Sequence, residues 1–318
     1  MKVVVTRPIP GDAFERLDGH EIVEHDFSEG GPDEEQLIDI ARGARALVTL
    51  LSDPVTDRVF AACPALKVVA QFAVGYDNID LEAARSRGIV VTHTPGVLTD
   101  ATADMALALL LAAARQIVPA DRYVREGRFT RWETDLMLGP DLTGKTMGIV
   151  GLGRIGAATA RRAVGFGMNV IYYNRSRANL SVEQRLSARR VELDGLLEQS
   201  DVVSLHCSLN ADSHHLIDAH ALGRMKSTAI LVNTARGAVV DEGALVRALR
   251  DGSIAAAGLD VFEEEPAVHP GLMELDNVVL APHLGSATYD ARHSMARMCA
   301  EAVHAVFTGA DEIPYRVV

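Results

Sequence analysis

Short apolar runs alternate with amphipathic stretches along most of the chain. Over residues 1–95 the runs Lys2–Thr6, Glu21–Glu24, Ala46–Leu50, Lys67–Gln71 and Ile89–Thr92 read as strands. Helical patterns lie between them at Asp12–Leu17, Pro32–Arg42, Thr56–Ala62 and Asn78–Arg87, and Gly88 is placed to end the last. Repeated strand–helix alternation predicts a parallel sheet covered by helices on both faces. A small flavodoxin-like domain follows from this. Thr94-Pro95-Gly96 breaks the rhythm, and a long apolar helix is predicted from Thr99 to Val118, capped by Thr99 or Asp100. Apolar residues nearly encircle it, which predicts burial between two domains or two subunits. The following stretch, Arg122–Asp141, reads as a loop in which Trp132 is a packing anchor or, second, a substrate contact.

A second alternating series begins at Lys145. Its strands are predicted at residues 145–150 and at Met168–Tyr173, Asp201–Cys207, Ala229–Thr234, Ile254–Val261 and Asn277–Ala281. Asp194, Asp218 and Asp241 are placed to start helices at Gly195–Gln199, Ala219–Met225 and Glu242–Arg250. A final helix, Tyr289–Thr308, lies beyond the last strand and is expected to return to the first domain. The predicted fold is thus α/β with two doubly wound parallel-sheet domains. A discontinuous substrate domain comprises residues 1–98 and 287–318, and a Rossmann coenzyme domain comprises residues 99–286.

The most informative turn follows residue 150. Gly151, Gly153 and Gly156 stand at G-x-G-x-x-G spacing between an apolar run and the helix Arg154–Phe166. The first glycine permits a tight turn, the second lets a pyrophosphate approach the backbone, and the third lets the helix pack on its strand. Helix N–H groups would then face the phosphates. A protein that selects NAD usually ends the next strand with a carboxylate for the ribose 2′-hydroxyl. Here the residue is Asn174, followed by Arg175, Ser176 and Arg177. Those groups would accept a 2′-phosphate, so NADPH is expected in preference to NADH.

Composition narrows the function classes. The chain has 318 residues, is 48% hydrophobic and carries a net charge of −12 with no basic stripe. This argues against nucleic-acid and membrane-surface partners. The longest apolar run, Met105–Ala114, is too short to span a bilayer. Cys63, Cys207 and Cys299 form no C-x-x-C pair and read as reduced thiols. With an N-terminus that opens on a strand, a cytoplasmic protein without a signal peptide is expected. No metal site is read from the sequence.

Three residues fall just after predicted strand ends, where ligands of open α/β sheets bind. Arg236 lies in Asn-Thr-Ala-Arg-Gly, Glu265 in Gly-Leu-Asp-Val-Phe-Glu-Glu-Glu-Pro, and His283 in Ala-Pro-His-Leu-Gly. Reduction of a 2-keto acid needs a fixed cation for the anion and carbonyl, which Arg236 suits. It needs a proton donor near pH 7, which His283 suits, and a carboxylate to orient the imidazole, which Glu265 suits. Asp260 is placed to accept the carboxamide of a nicotinamide. The N–H groups of Val74 and Gly75 form either a carboxylate receptor or an ordinary turn.

These motifs resemble the D-2-hydroxyacid dehydrogenases. The resemblance rests on Val74-Gly75-Tyr-Asp-Asn-Ile-Asp80, Gly148-Ile-Val-Gly-Leu-Gly-Arg-Ile-Gly156, Leu231-Val-Asn-Thr-Ala-Arg-Gly237, Gly258-Leu-Asp-Val-Phe-Glu-Glu-Glu-Pro266 and Ala281-Pro-His-Leu-Gly-Ser286. Thr99-Asp-Ala-Thr-Ala-Asp104 and Gly165-Phe-Gly-Met168 make the chain similar to the glyoxylate/hydroxypyruvate reductase branch. The resemblance implies Arg236, Glu265 and His283 as catalytic residues. It implies a cofactor pocket from Gly151, Leu152, Gly153, Arg154, Ile155 and Gly156, with Asn174, Arg175, Ser176, Cys207 and Ser208. Thr102, Thr234, Ala235, Arg236, Asp260, His283 and Gly285 complete that pocket. Leu51, Val74, Gly75, Arg236 and His283 would contact a small 2-keto acid. A homodimer through residues 99–141 is also implied. Cys207-Ser208 departs from the family pattern of a small apolar residue and proline, on the adenine side. Relatives acting on phosphoglycerate or lactate, and corepressor-like nucleotide-sensing proteins, share the fold and remain alternative readings.

Overall fold

Two parallel sheets organise the chain, each belonging to its own compact unit: Met1–Leu98 with Ser286–Val318, and Thr99–Gly285. The computed structural model describes residues 1–27 and 30–318. In the first unit the strands are β1 Lys2–Val5, β2 Glu21–Glu24, β3 Ala46–Thr49, β4 Val68–Gln71 and β5 Val90–Thr92. They pair in the order β2-β1-β3-β4-β5, all in parallel. This is the flavodoxin-like order. β3 and β4 are buried along their whole length, as a sheet covered on both faces requires.

Helices α1 Glu34–Ala41, α2 Asp57–Ala62 and α3 Leu81–Ser86 connect these strands. Leu37, Val59, Phe60 and Ala84 pack with Val4, Leu47 and Val69. Asp33 and Gln36 form a reciprocal capping box on α1, and Asp80 caps α3. The helix expected at Asp12–Leu17 is a single 3₁₀ turn, Ala13–Arg16. The chain end pairs with β5: the N–H of Val317 donates to Val91 O at 2.7 Å, and the N–H of His93 donates to Tyr315 O at 3.1 Å.

The second unit opens with α4 Thr99–Ala114, where Thr99 and Asp100 lie inside the first turn rather than capping it. The single long helix expected here does not continue. Gln116 takes a left-handed φ of 50°, and α5 Ile117–Arg125 leaves at 61° to α4. Pro119 explains the break, because it lacks an N–H and its ring clashes with the carbonyl four residues back. Within its unit α4 packs against the second sheet, with Ala106, Leu107 and Leu110 in a cluster with Ile149, Tyr172 and Val232. Among the described residues no single helix is long and apolar enough to cross a membrane.

The second sheet contains β6 Thr146–Val150, β7 Asn169–Tyr173, β8 Arg189–Arg190, β9 Val202–Leu205, β10 Ile230–Asn233, β11 Ala256–Leu259 and β12 Val278–Leu280. Their order is β12-β11-β10-β9-β6-β7-β8, with all pairs parallel. The order reverses between β6 and β9, the switch point at which nucleotides bind. Side chains alternate across it: Ile230 and Val232 join one core, and Leu231 joins the other.

The helices are α6 Arg154–Gly165, α7 Leu180–Leu186, α8 Leu193–Gln199, α9 Ala219–Arg224, α10 Glu242–Arg250 and α11 Pro270–Met273. Asp218 and Asp241 cap α9 and α10 through the N–H groups of Ala221 and Ala244. Asp194 does not start α8, which begins one residue earlier with Glu192 at its cap, so the acid lies in the first turn. The last helix, α12 Tyr289–Thr308, is capped by Thr288 and belongs to the first unit.

Candidate active site

The glycine turn lies between β6 and α6. Gly151 has a φ of +99°, and a side chain there would meet the His206–Cys207 backbone at 2.7 Å. A Cβ on Gly156 would lie 2.2 Å from Gly151 O. Both positions therefore exclude any side chain. At Gly153 the situation is opposite, since a Cβ would meet nothing within 4 Å. Gly153 is the cap of α6 and supplies no side-chain acceptor for the first helix N–H groups. Open space in front of unpaired N–H groups at a positive helix end fits a pyrophosphate.

Asn174 follows β7 and has a function that its sequence position did not reveal. Its Oδ1 accepts the Leu152 N–H at 2.6 Å, so its side chain braces the glycine turn. Arg175 pairs with Asp212 at 3.0 Å on the surface. Arg177 turns away from this edge into Glu183, which also accepts the Tyr172 hydroxyl, and so is unavailable to a 2′-phosphate. Arg190 supplies a guanidinium that the sequence reading missed. Its Nη2 donates to Asn174 O at 3.0 Å and Arg175 O at 3.3 Å. A two-residue strand in a charged stretch gives no periodic signal, which is why the residue escaped notice.

Arg236, Glu265 and His283 follow the adjacent strands β10, β11 and β12, and the structure brings them together. His283 Nδ1 lies 2.8 Å from Glu265 Oε2, with each side chain about one-third exposed (31% and 35%). The other carboxylate oxygen of Glu265 accepts the Phe262 N–H at 3.0 Å. Burial pushes the Glu265 carboxyl up. The His283 hydrogen bond and charge, the Phe262 N–H and the Arg236 charge outweigh it and hold the group below its ordinary value. Arg236 is fixed by its loop: Asn233 Nδ2 donates to Arg236 O at 2.9 Å, while Asn233 Oδ1 accepts the Ala235 N–H at 3.0 Å. Gly237 then presses on the Phe262–Glu263 backbone, where a Cβ would approach to 1.8 Å. That contact joins the arginine loop to the glutamate loop.

Asp260 is anchored at the end of β11. Its two oxygens accept the N–H groups of Leu284 and Gly285 at 2.6 and 2.7 Å, and it is 1% exposed. Both oxygens thus hold the histidine loop, and each keeps a further lone pair. Burial raises its pKa, against the two N–H donors and His283. Thr102 lies against Gly285, and Thr234 is buried with its hydroxyl unpaired. That orphaned hydroxyl and the open space at Gly153 fit a nicotinamide dinucleotide. Cys207 follows His206 beside the turn, and burial pushes its thiol up to about 11, which keeps it inert. The Ser208 carbonyl accepts the Ser213 hydroxyl at 2.7 Å.

In the first unit, His93 Nδ1 lies 2.9 Å from Val74 O, and Gln71 Nε2 donates to Gly75 O at 3.3 Å. Among the described residues the N–H groups of Val74 and Gly75 have no protein acceptor. Two adjacent unpaired N–H groups form an anion receptor. Leu51 lies in a loop fixed by the buried Asp53, which accepts the Leu50 N–H at 2.7 Å. Trp132 is 78% exposed, so it anchors no packing within its own chain, and the substrate-contact reading stays open.

A family model for the NAD binding domain of D-isomer specific 2-hydroxyacid dehydrogenases matches residues 107–285. A glyoxylate reductase of Korarchaeum cryptofilum is 52% identical over 320 residues, covering 100% of this chain and 95% of that protein. A solved protein of Thermus thermophilus superposes with a TM-score of 0.93 at 45% identity, with 100% of both chains covered. An NADPH-dependent glyoxylate/hydroxypyruvate reductase of Sinorhizobium meliloti, solved with NADP and malonate, gives 0.86 at 34% identity, covering 100% of this chain and 96% of that one.

The lowered Glu265 pKa has a measurable consequence. A carboxyl held below its unfolded value stabilises the fold above that value, about 4.3, and loses the contribution as pH falls through the folded value. Glu265→Gln cannot ionise and lacks this contribution. The thermal midpoint of the wild type should therefore exceed that of the variant near neutrality, and the gap should narrow as pH falls to about 3. A gap independent of pH would contradict the assigned shift.

Proposed function

The chain belongs to the D-isomer specific 2-hydroxyacid dehydrogenase family of oxidoreductases, and we propose that it reduces glyoxylate or hydroxypyruvate to the corresponding 2-hydroxy acid with NADPH as preferred reductant. The observation that carries this reading is the His283–Glu265 pair beside Arg236, at the strand ends of the sheet that bears the glycine turn.

The glycine turn, Thr102 and Thr234 would hold the nicotinamide cofactor, which supplies a hydride to the keto carbon. Arg236 holds the anionic substrate and draws electron density from its carbonyl. In the first unit, the Val74 and Gly75 N–H groups are the candidate receptor for a carboxylate, as the family resemblance implies. Because Nδ1 of His283 is engaged by Glu265, the ring's Nε2 delivers the proton to the keto oxygen. Glu265 orients the ring and stabilises the imidazolium before transfer. The reductase named in Korarchaeum cryptofilum supports glyoxylate as substrate class. Preference for NADPH is supported by Asn174 in place of a carboxylate, by Arg175 and Arg190 at the same edge, and by the NADPH-dependent relative.

Steady-state kinetics test the reading. With glyoxylate, kcat/KM should favour NADPH over NADH by roughly tenfold or more, the worth of one charge-assisted hydrogen bond. His283→Ala should lose about 10²–10⁴ in kcat while NADPH binding is retained. Wild-type protein that binds NADPH but reduces no 2-keto acid would instead favour a nucleotide-sensing function.

Residues 99–141 are read as a homodimer contact. α5 has no buried residue, and Val124, Phe129, Trp132 and Leu138 are all exposed by more than half. Gln116, Arg122, Met137 and Leu138 line a groove of about 910 Å³ that a second copy would fill. Patches of this kind mark association surfaces. Sedimentation should give twice the 34.1 kDa chain mass, and Val124→Asp with Trp132→Ala should halve it. A wild type that sediments as a monomer at micromolar concentration would contradict the assignment.

A further inference from the structure

His214, His215 and Glu263 converge outside the residues assigned above. One potential ligand atom from each lies within 4.8 Å of the other two. Neighbouring residues in an extended chain send side chains to opposite sides. Here His215 takes a left-handed φ of 49°, and the two imidazoles lie 4.1 Å apart between centroids, tilted by 31°. His215 Nε2 is 2.5 Å from Glu263 Oε1. We propose that His214, His215 and Glu263 form a binding site for one divalent transition-metal ion of the zinc class.

The donor chemistry selects the ion. Two neutral imidazoles and a carboxylate suit zinc, nickel or copper, whereas calcium and magnesium take oxygen donors. Zinc bonds of about 2 Å place tetrahedral donors roughly 3.3 Å apart. His214 is exposed and free to rotate inward by that margin. The frame around the other two ligands is already fixed. The Glu263 N–H donates to Glu242 Oε1 at 2.9 Å, and Glu263 Oε2 accepts the Glu242 N–H at 3.4 Å. The His215 N–H donates to Ala238 O at 2.8 Å, two residues beyond Arg236. Three protein ligands leave the fourth zinc position to water or an anion. A bound ion would cross-link the 214–215 turn to the loop that carries Glu265, so the site is distinct from the reducing centre but joined to it through the backbone.

Calorimetric titration of the metal-stripped full chain with Zn²⁺ alone tests the proposal. The wild type should bind one ion per chain with micromolar affinity. His214→Ala, at an exposed position that does not threaten folding, should weaken binding by about tenfold or more. Glu263→Gln should weaken it likewise, and His220→Ala, another exposed histidine of the same unit, should leave it unchanged. With Cu²⁺, electron paramagnetic resonance should report two nitrogen ligands in the wild type and one in His214→Ala. Equal Zn²⁺ affinity in wild type and His214→Ala, or no saturable binding, would overturn the site and leave His215–Glu263 as an ion pair only.

Discussion

His283 holds a backbone conformation that a side chain resists, and the rest of the site depends on how that conformation is kept. Its φ is +54°, a left-handed setting that costs about 1 kcal/mol or more outside glycine. Asp260 meets the cost. The N–H groups of His283, Leu284 and Gly285 all donate to Asp260, the first to its carbonyl and the next two to its carboxylate. A single buried residue at the end of β11 thus folds the segment after β12 back over the sheet. The imidazole is delivered to Glu265, which belongs to the same strand-end loop as Asp260.

Parallel pairing does the remaining positioning. In a parallel sheet every strand ends on the same edge, so residues far apart in sequence meet without any long-range loop. β10, β11 and β12 are neighbours, and their following loops carry Arg236, Glu265 and His283. The glycine turn after β6 opens on that edge, and β9 brings His206 against Gly151. The chemistry therefore rests on strand order first and on side-chain identity second. Gly237 shows the tolerance involved, since even a methyl group there would separate the Arg236 loop from the Glu265 loop.

Much of this was legible in the chain. Four strand-end motifs, the caps Asp218 and Asp241 and the helix Tyr289–Thr308 follow from periodicity and local hydrogen-bonding capacity, which act within a few residues. The rest has other origins. Pro119 ended α4 through a clash that an apolar pattern does not register. Asn174 has a second task that its position does not announce: its side-chain oxygen accepts the N–H of Leu152, twenty-two positions away. Arg177 found Glu183 once α7 had formed, a helix not anticipated. Nothing in the chain pattern signals that His214 and His215 meet Glu263, which a left-handed turn brings about. The contacts of Asn174, Arg177, His214 and His215 are partner choices made by tertiary structure.

The account stands on His283 and Glu265 working as one unit. A double-mutant cycle on kcat measures that directly. If the carboxylate acts only through the imidazole, Glu265→Ala combined with His283→Ala should be no slower than His283→Ala alone. Multiplicative losses from the two substitutions would show that they act independently, and the central claim would fail.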